Sequence, residues 1–125
     1  MSKALERLRG KISNMTAGRW WLSEQDGAYC TGEPGVDAMQ IGYTDLGSAN
    51  DDAVLELVNM RLVLLGVVEA TLVWERAKRA AARTRHEFHL CPNENTRRDV
   101  DAYDRCEIDS YARYRRAVDA LEIMS

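Results

Sequence analysis

The chain has 125 residues, 46% of them hydrophobic and 30% charged, with a net charge of −3. That length supports one domain with a core of its own, and a pI near 5.4 excludes a general nucleic-acid coat while leaving room for a local basic patch. Three cysteines, Cys30, Cys91 and Cys106, form neither a close pair nor a regular framework, and read as free thiols of a cytosolic chain.

Residues 3–14 read as a short amphipathic helix. Leu5, Leu8, Ile12 and Met15 recur at spacings that share one helix face, and Ser2 suits the N-cap position. The opening residues lack the apolar core of a secretory leader, so none is expected. From Arg19 to Tyr43 the pattern changes to short strands. Arg19–Ser23 carries two tryptophans, a composition favoured in strands. Asp26-Gly27 is a hairpin-turn signal, Ala28–Thr31 is the return strand, and Gly32-Glu33-Pro34-Gly35 marks a second turn. Ala38–Tyr43 alternates as a third strand. Three strands this short need a helix to pack against.

A polar loop from Asp45 to Asp52 leads into the most informative segment. Between Asp51 and Phe88 there is no proline and a single glycine, Gly66. Asn50 or Asp51 is the expected cap. The stretch Leu62–Val68 is apolar on every side, whereas a surface helix keeps one polar face. Glu56, Arg61, Glu69 and Glu75 interrupt the helix as a whole, and no charge-free run approaches the roughly 18 residues of a membrane span, so no membrane segment is expected. Cys91-Pro92-Asn93 breaks the helix. A last helix runs from about Asn95 or Thr96 towards Ile123, with Val100, Tyr103, Tyr111, Tyr114, Val118 and Leu121 as its stripe and Asp104 and Glu107 interrupting that stripe.

The expected fold is therefore α+β: a short N-terminal helix, a three-stranded antiparallel sheet and a long helical hairpin. It is read as one domain with a module of helix and sheet over 1–50 and the hairpin over 51–125. A straight helix from Asp51 to Phe88 would be roughly 55 Å long, against a radius of gyration of about 14 Å for a compact chain of this size. Either it breaks near Gly66 or a second copy completes it. The second alternative predicts a homodimer or higher homo-oligomer, with Leu62, Leu65, Gly66, Val67 and Ala70 at the interface. Gly66 and Ala70 offer a flat surface for close helix approach.

Charge is segregated. Residues 20–60 hold eight acidic side chains and no basic ones, and 61–98 carry an excess of four positive charges. Arg76, Lys78, Arg79, Arg83 and Arg85 make a basic helix end. Arg76, Arg79 and Arg83 share a side and are candidates for a phosphate, nucleotide-signal or DNA contact, although basic residues at a helix C-terminus also complement the macrodipole. An exposed Trp20 or Trp21 would mark a partner surface. His86, His89 and Cys91 are weak metal candidates, because the histidines are three apart rather than four and no Cys-x-x-Cys completes a site. No metal, no cofactor and no catalytic constellation are expected.

Thr16-Ala17-Gly18-Arg19-Trp20, then Asp26-Gly27-Ala28-Tyr29, then Asn50-Asp51-Asp52-Ala53-Val54-Leu55-Glu56-Leu57 opening a helix, resembles the small phage early-region proteins of the Ead-like type. The resemblance covers about residues 16–65. Ala17 and Arg19 stand where that family has prolines, and Ser48-Ala49-Asn50 replaces its usual lead-in. The family implies a bacteriophage or prophage source and supplies no catalytic residue. The expectation is a non-enzymatic, cytoplasmic accessory protein of a host bacterial cell that oligomerises through long helices and binds a host macromolecule. The alternatives are a small-anion or nucleotide-signal module and a DNA-binding protein.

Overall fold

The computed structural model describes residues 3–44 and 49–124. The element order is α1 (Lys3–Asn14), β1 (Trp20–Ser23), β2 (Ala28–Thr31), β3 (Met39–Tyr43), α2 (Ala49–Leu90) and α3 (Glu94–Met124). The fold is α+β, with a short first helix, a three-stranded antiparallel sheet and two long helices packed together. Ser2 and residues 45–48 of the loop from Asp45 to Asp52 lie outside the described residues.

The chain divides into two compact units, Met1–Leu62 and Val63–Ser125. The division falls inside α2, not at its start as the 1–50 and 51–125 modules had it. The reason lies in the first turns of α2, whose Asn59 and Arg61 side chains bond to the segment entering the sheet.

In the first unit the strands lie in the order β1-β2-β3. Gly27, at φ 64°, closes the β1–β2 hairpin with its N–H on the Ser23 carbonyl. This is a conformation that glycine adopts at little cost. Gly32 is held more tightly, at φ 84°, and a side chain there would collide with the Asp37 carbonyl. The register of β2 on β3 shifts between Tyr29 and Cys30, which leaves Ile41 as an extra residue in a bulge. Among the described residues, Leu5, Ala28 and Cys30 are the buried apolar residues of this unit.

In the second unit α2 and α3 form the hairpin. Pro92 has no N–H to continue a helix. Asn93 starts the next one as a reciprocal cap: its Oδ1 accepts the Thr96 N–H at 2.9 Å, and its own N–H donates to Thr96 Oγ1 at 3.0 Å. The last helix therefore begins at Glu94 rather than at Asn95 or Thr96. The α2 helix begins at Ala49, so Asp51 sits in the first turn instead of capping it. It also runs unbroken through Gly66, which removes the alternative of a helix broken there.

Candidate functional site

The hairpin of the second unit carries most of the residues singled out from the sequence. Ala70, Ala77, Ala81 and Thr84 are all buried, and their spacing puts them on one side of α2. From that side Trp74 and Arg85 reach α3. The Trp74 ring stacks on Tyr114 at 4.8 Å between centroids and tilts against Tyr111 at 5.0 Å. Small side chains between such anchors let two helix backbones approach closely.

Arg85 explains why acidic residues cross the stripe of α3. Its Nη2 donates to Asp104 Oδ1 at 2.7 Å and to Glu107 Oε2 at 2.8 Å. Those hydrogen bonds, first to Asp104 and then to Glu107, push the guanidinium pKa further above its ordinary range. Lys78 is likewise committed. Its ammonium lies 4.2 Å from the centre of the Trp74 ring and 2.7 Å from Glu75. The Lys78 hydrogen bond and charge hold the Glu75 carboxyl below its usual range.

Of the five basic residues at this helix end, Arg76, Arg79 and Arg83 remain. All three are exposed, and none forms an ion pair among the described residues. Arg79 acts on Glu75 only through its field. They are the basic side chains of α2 left for an outside anion.

Both sheet tryptophans are half-buried and their ring N–H groups are used inside the fold. Trp20 Nε1 donates to the Thr16 carbonyl at 2.9 Å, and Trp21 Nε1 to the Gly32 carbonyl at 2.8 Å. Arg61 lies 5.8 Å from the centre of the Trp20 ring. His86, His89 and Cys91 are exposed, and among the described residues no three His, Cys, Asp or Glu side chains gather as a metal site.

The residues assigned to an oligomer interface separate into two groups. Leu65 and Ala70 are buried within one chain, at 9% and 1% exposure. Leu62 is 67% exposed, and Gly66 and Val67 are half-buried. A Cβ built on Gly66 would meet nothing within 4 Å. Val68 and Leu72, not among the residues assigned to the interface, are exposed at 44% and 36%. By length and composition α2 does qualify as a membrane span, against the expectation that its charges disqualify it. Its best 18-residue window has a mean hydropathy of 1.7 and is only 11% buried.

No family model, curated protein or solved structure matches this chain. Its chemistry therefore rests on its own residues.

Two of these escaped the sequence reading. Asn59 bonds the edge of the sheet: its Oδ1 accepts the Trp20 N–H at 2.8 Å and its Nδ2 donates to the Trp20 carbonyl at 3.0 Å. The side-chain amide thus takes the place of a neighbouring strand. Trp74 was hidden among the charges that surround it, although a tryptophan within a helix is itself a signal of packing.

Proposed function

We propose that this chain is a non-enzymatic phage or prophage accessory protein. It self-associates through the uncovered apolar side chains of α2 and offers Arg76, Arg79 and Arg83 to a host macromolecule. The observation that carries the reading is the exposure of Val68 and Leu72 in the second unit, where α3 already occupies the alanine side of α2. Leu62 in the first unit adds to it. The resemblance over residues 16–65 supports the phage setting. The side chains with displaced pKa values, Tyr29, Glu75 and Arg85, owe the shift to bonds that tie structure together. That favours a binding role over catalysis.

A lipid bilayer is the competing occupant of an apolar helix. The packing of α3 on α2 argues against it. The C-terminal half of α3, which lies against Trp74 through Tyr111 and Tyr114, carries Arg113, Arg115, Arg116, Asp119 and Glu122. Each charge taken into the bilayer centre costs about 2.5–3.5 kcal/mol, and burying one Val or Leu returns only about 1.5–3 kcal/mol. A second copy covers the same side chains without moving those charges out of water.

Light scattering coupled to gel filtration tests the assembly. The parent chain elutes as a dimer or larger at micromolar concentration, and Val68→Asp with Leu72→Asp reduces it to a monomer that retains its helix content. A monodisperse monomer of the parent chain refutes the reading. For the partner, the triple variant Arg76→Glu, Arg79→Glu, Arg83→Glu is expected to lose capture of the host macromolecule. A mobility shift on DNA that weakens steeply with salt would favour nucleic acid as that macromolecule.

A further inference from the structure

On the flank of α3 lies an open hollow of about 400 Å³, whose lining includes none of Arg76, Arg79 and Arg83. Arg105, Asp109, Arg113 and Arg116 line it, at spacings of four, four and three that bring them onto one side of the helix. Val73 of α2 supplies part of an apolar wall. Ser110 also lines the hollow. It is 7% exposed, and its hydroxyl makes no hydrogen bond among the described residues. Its oxygen is not among the sealed, unpartnered polar atoms of the described residues, so the hydroxyl reaches the open hollow and is available there to an acceptor.

The three arginines form no ion pair among the described residues, whereas their neighbours do. Arg115 meets Asp119 and Arg98 meets Glu94. Asp109 is the single carboxylate of the lining, so the hollow keeps an excess of two positive charges. A guanidinium presents a planar fork of donors that matches two oxygens of a carboxylate or phosphate. A hydroxyl donor at the floor and guanidinium forks at the rim are the complement of one oxyanion.

We infer that this hollow binds the oxyanion of a small molecule, a phosphate or a carboxylate group. Ser110 Oγ–H donates to it from below, Arg113 and Arg116 hold it from the rim, and an apolar part of the ligand lies against Val73. The site belongs to a single copy of the chain and uses none of the side chains of the proposed assembly, so either can fail without the other.

The test is isothermal titration and thermal shift on the full chain at constant ionic strength. Inorganic phosphate and pyrophosphate form one arm, acetate and citrate the other. Saturable binding by either arm is expected, and the arm that binds names the source of the oxyanion. Arg113→Gln with Arg116→Gln weakens it by about tenfold or more, while Arg79→Gln leaves it unchanged. Ser110→Ala separates a binding role from a structural one. Without anion it raises the unfolding midpoint, because alanine favours the helix over serine. With anion it binds several-fold more weakly. No saturable binding by any probe overturns the inference. So does binding that Arg79→Gln reduces as much as Arg116→Gln, or Ser110→Ala binding as tightly as the parent.

Discussion

Tyr29 is the residue whose ionisation bears most directly on the fold. Its hydroxyl donates to the Asp51 carboxylate at 2.6 Å, and Thr44 donates to the same carboxylate oxygen. Asp51 is buried, at 5% exposure, and the bond joins β2 to the first turn of α2. The hydrogen bond to Asp51 is the main cause that raises the Tyr29 pKa. The Thr44 hydroxyl, 3.4 Å from the phenol oxygen, works against it, while burial and the Asp51 charge add to it. The sign follows from the proton. Only the protonated phenol can donate, so the stability from this bond is complete below the ordinary tyrosine pKa of about 10. It is lost as pH rises through the higher folded value. Spectrophotometric titration should therefore show a tyrosine step above the ordinary range, and Tyr29→Phe should abolish that late step. The same variant should have a lower unfolding midpoint at neutral pH and lose less on going to alkaline pH than the parent does. A Tyr29→Phe chain with the parent's alkaline profile would sink this account.

Among the elements, β1 depends on a side chain 39 residues away. A strand at the edge of a sheet leaves backbone donors and acceptors without a neighbour, and Asn59 satisfies both such groups at Trp20. Asn59→Ala should destabilise the first unit by about 1–3 kcal/mol, the range for a lost donor and acceptor at a partly buried position. Urea unfolding followed by tryptophan fluorescence reads it, since Trp20 and Trp21 sit on that strand. Asn59→Gln should not rescue it, because the longer stem moves the amide out of register. An unchanged urea midpoint for Asn59→Ala would show that water replaces the amide at no loss. None of this was legible in the sequence, because one asparagine in a helix gives no hint of a strand far earlier in the chain. What was legible followed from local periodicity and turn chemistry. The spacing of Leu5, Ile12 and Met15 placed α1, Asp26-Gly27 and Gly32 placed the turns, and Pro92 placed the end of α2. The candidate site was less legible. The pairing of Arg85 with Asp104 and Glu107, and the exposure of Ser110 to a hollow instead of a partner, arise only when α3 folds back on α2. The split between buried Leu65 and exposed Val68 likewise depends on which side α3 and the rest of the chain take, whereas an all-apolar stretch shows only that several sides need cover.

At the scale of the whole molecule the question is what holds the second unit together. Its buried apolar residues are Leu65, Ala70, Ala77 and Ala81, and an alanine brings little apolar area out of water. No large side chain among the described residues is fully buried. A helical hairpin with so small a core gains little from folding alone, while Val68 and Leu72 remain partly exposed. If a second copy covers them, folding and assembly are coupled by mass action. The unfolding midpoint of the parent chain should then rise with protein concentration, by a few degrees for each tenfold step. A midpoint independent of concentration would count against assembly as a source of stability. Gly66→Ala sharpens the test. Within one chain the added methyl group meets nothing within 4 Å, and alanine is favoured over glycine in a helix by about 0.8–1 kcal/mol. At the lowest concentrations the variant should melt above the parent. If copies approach closely at Gly66, the methyl group obstructs them, and the variant's midpoint should become flat with concentration. If the variant instead keeps the parent's slope, the copies meet through Val68 and Leu72 with Gly66 outside the contact.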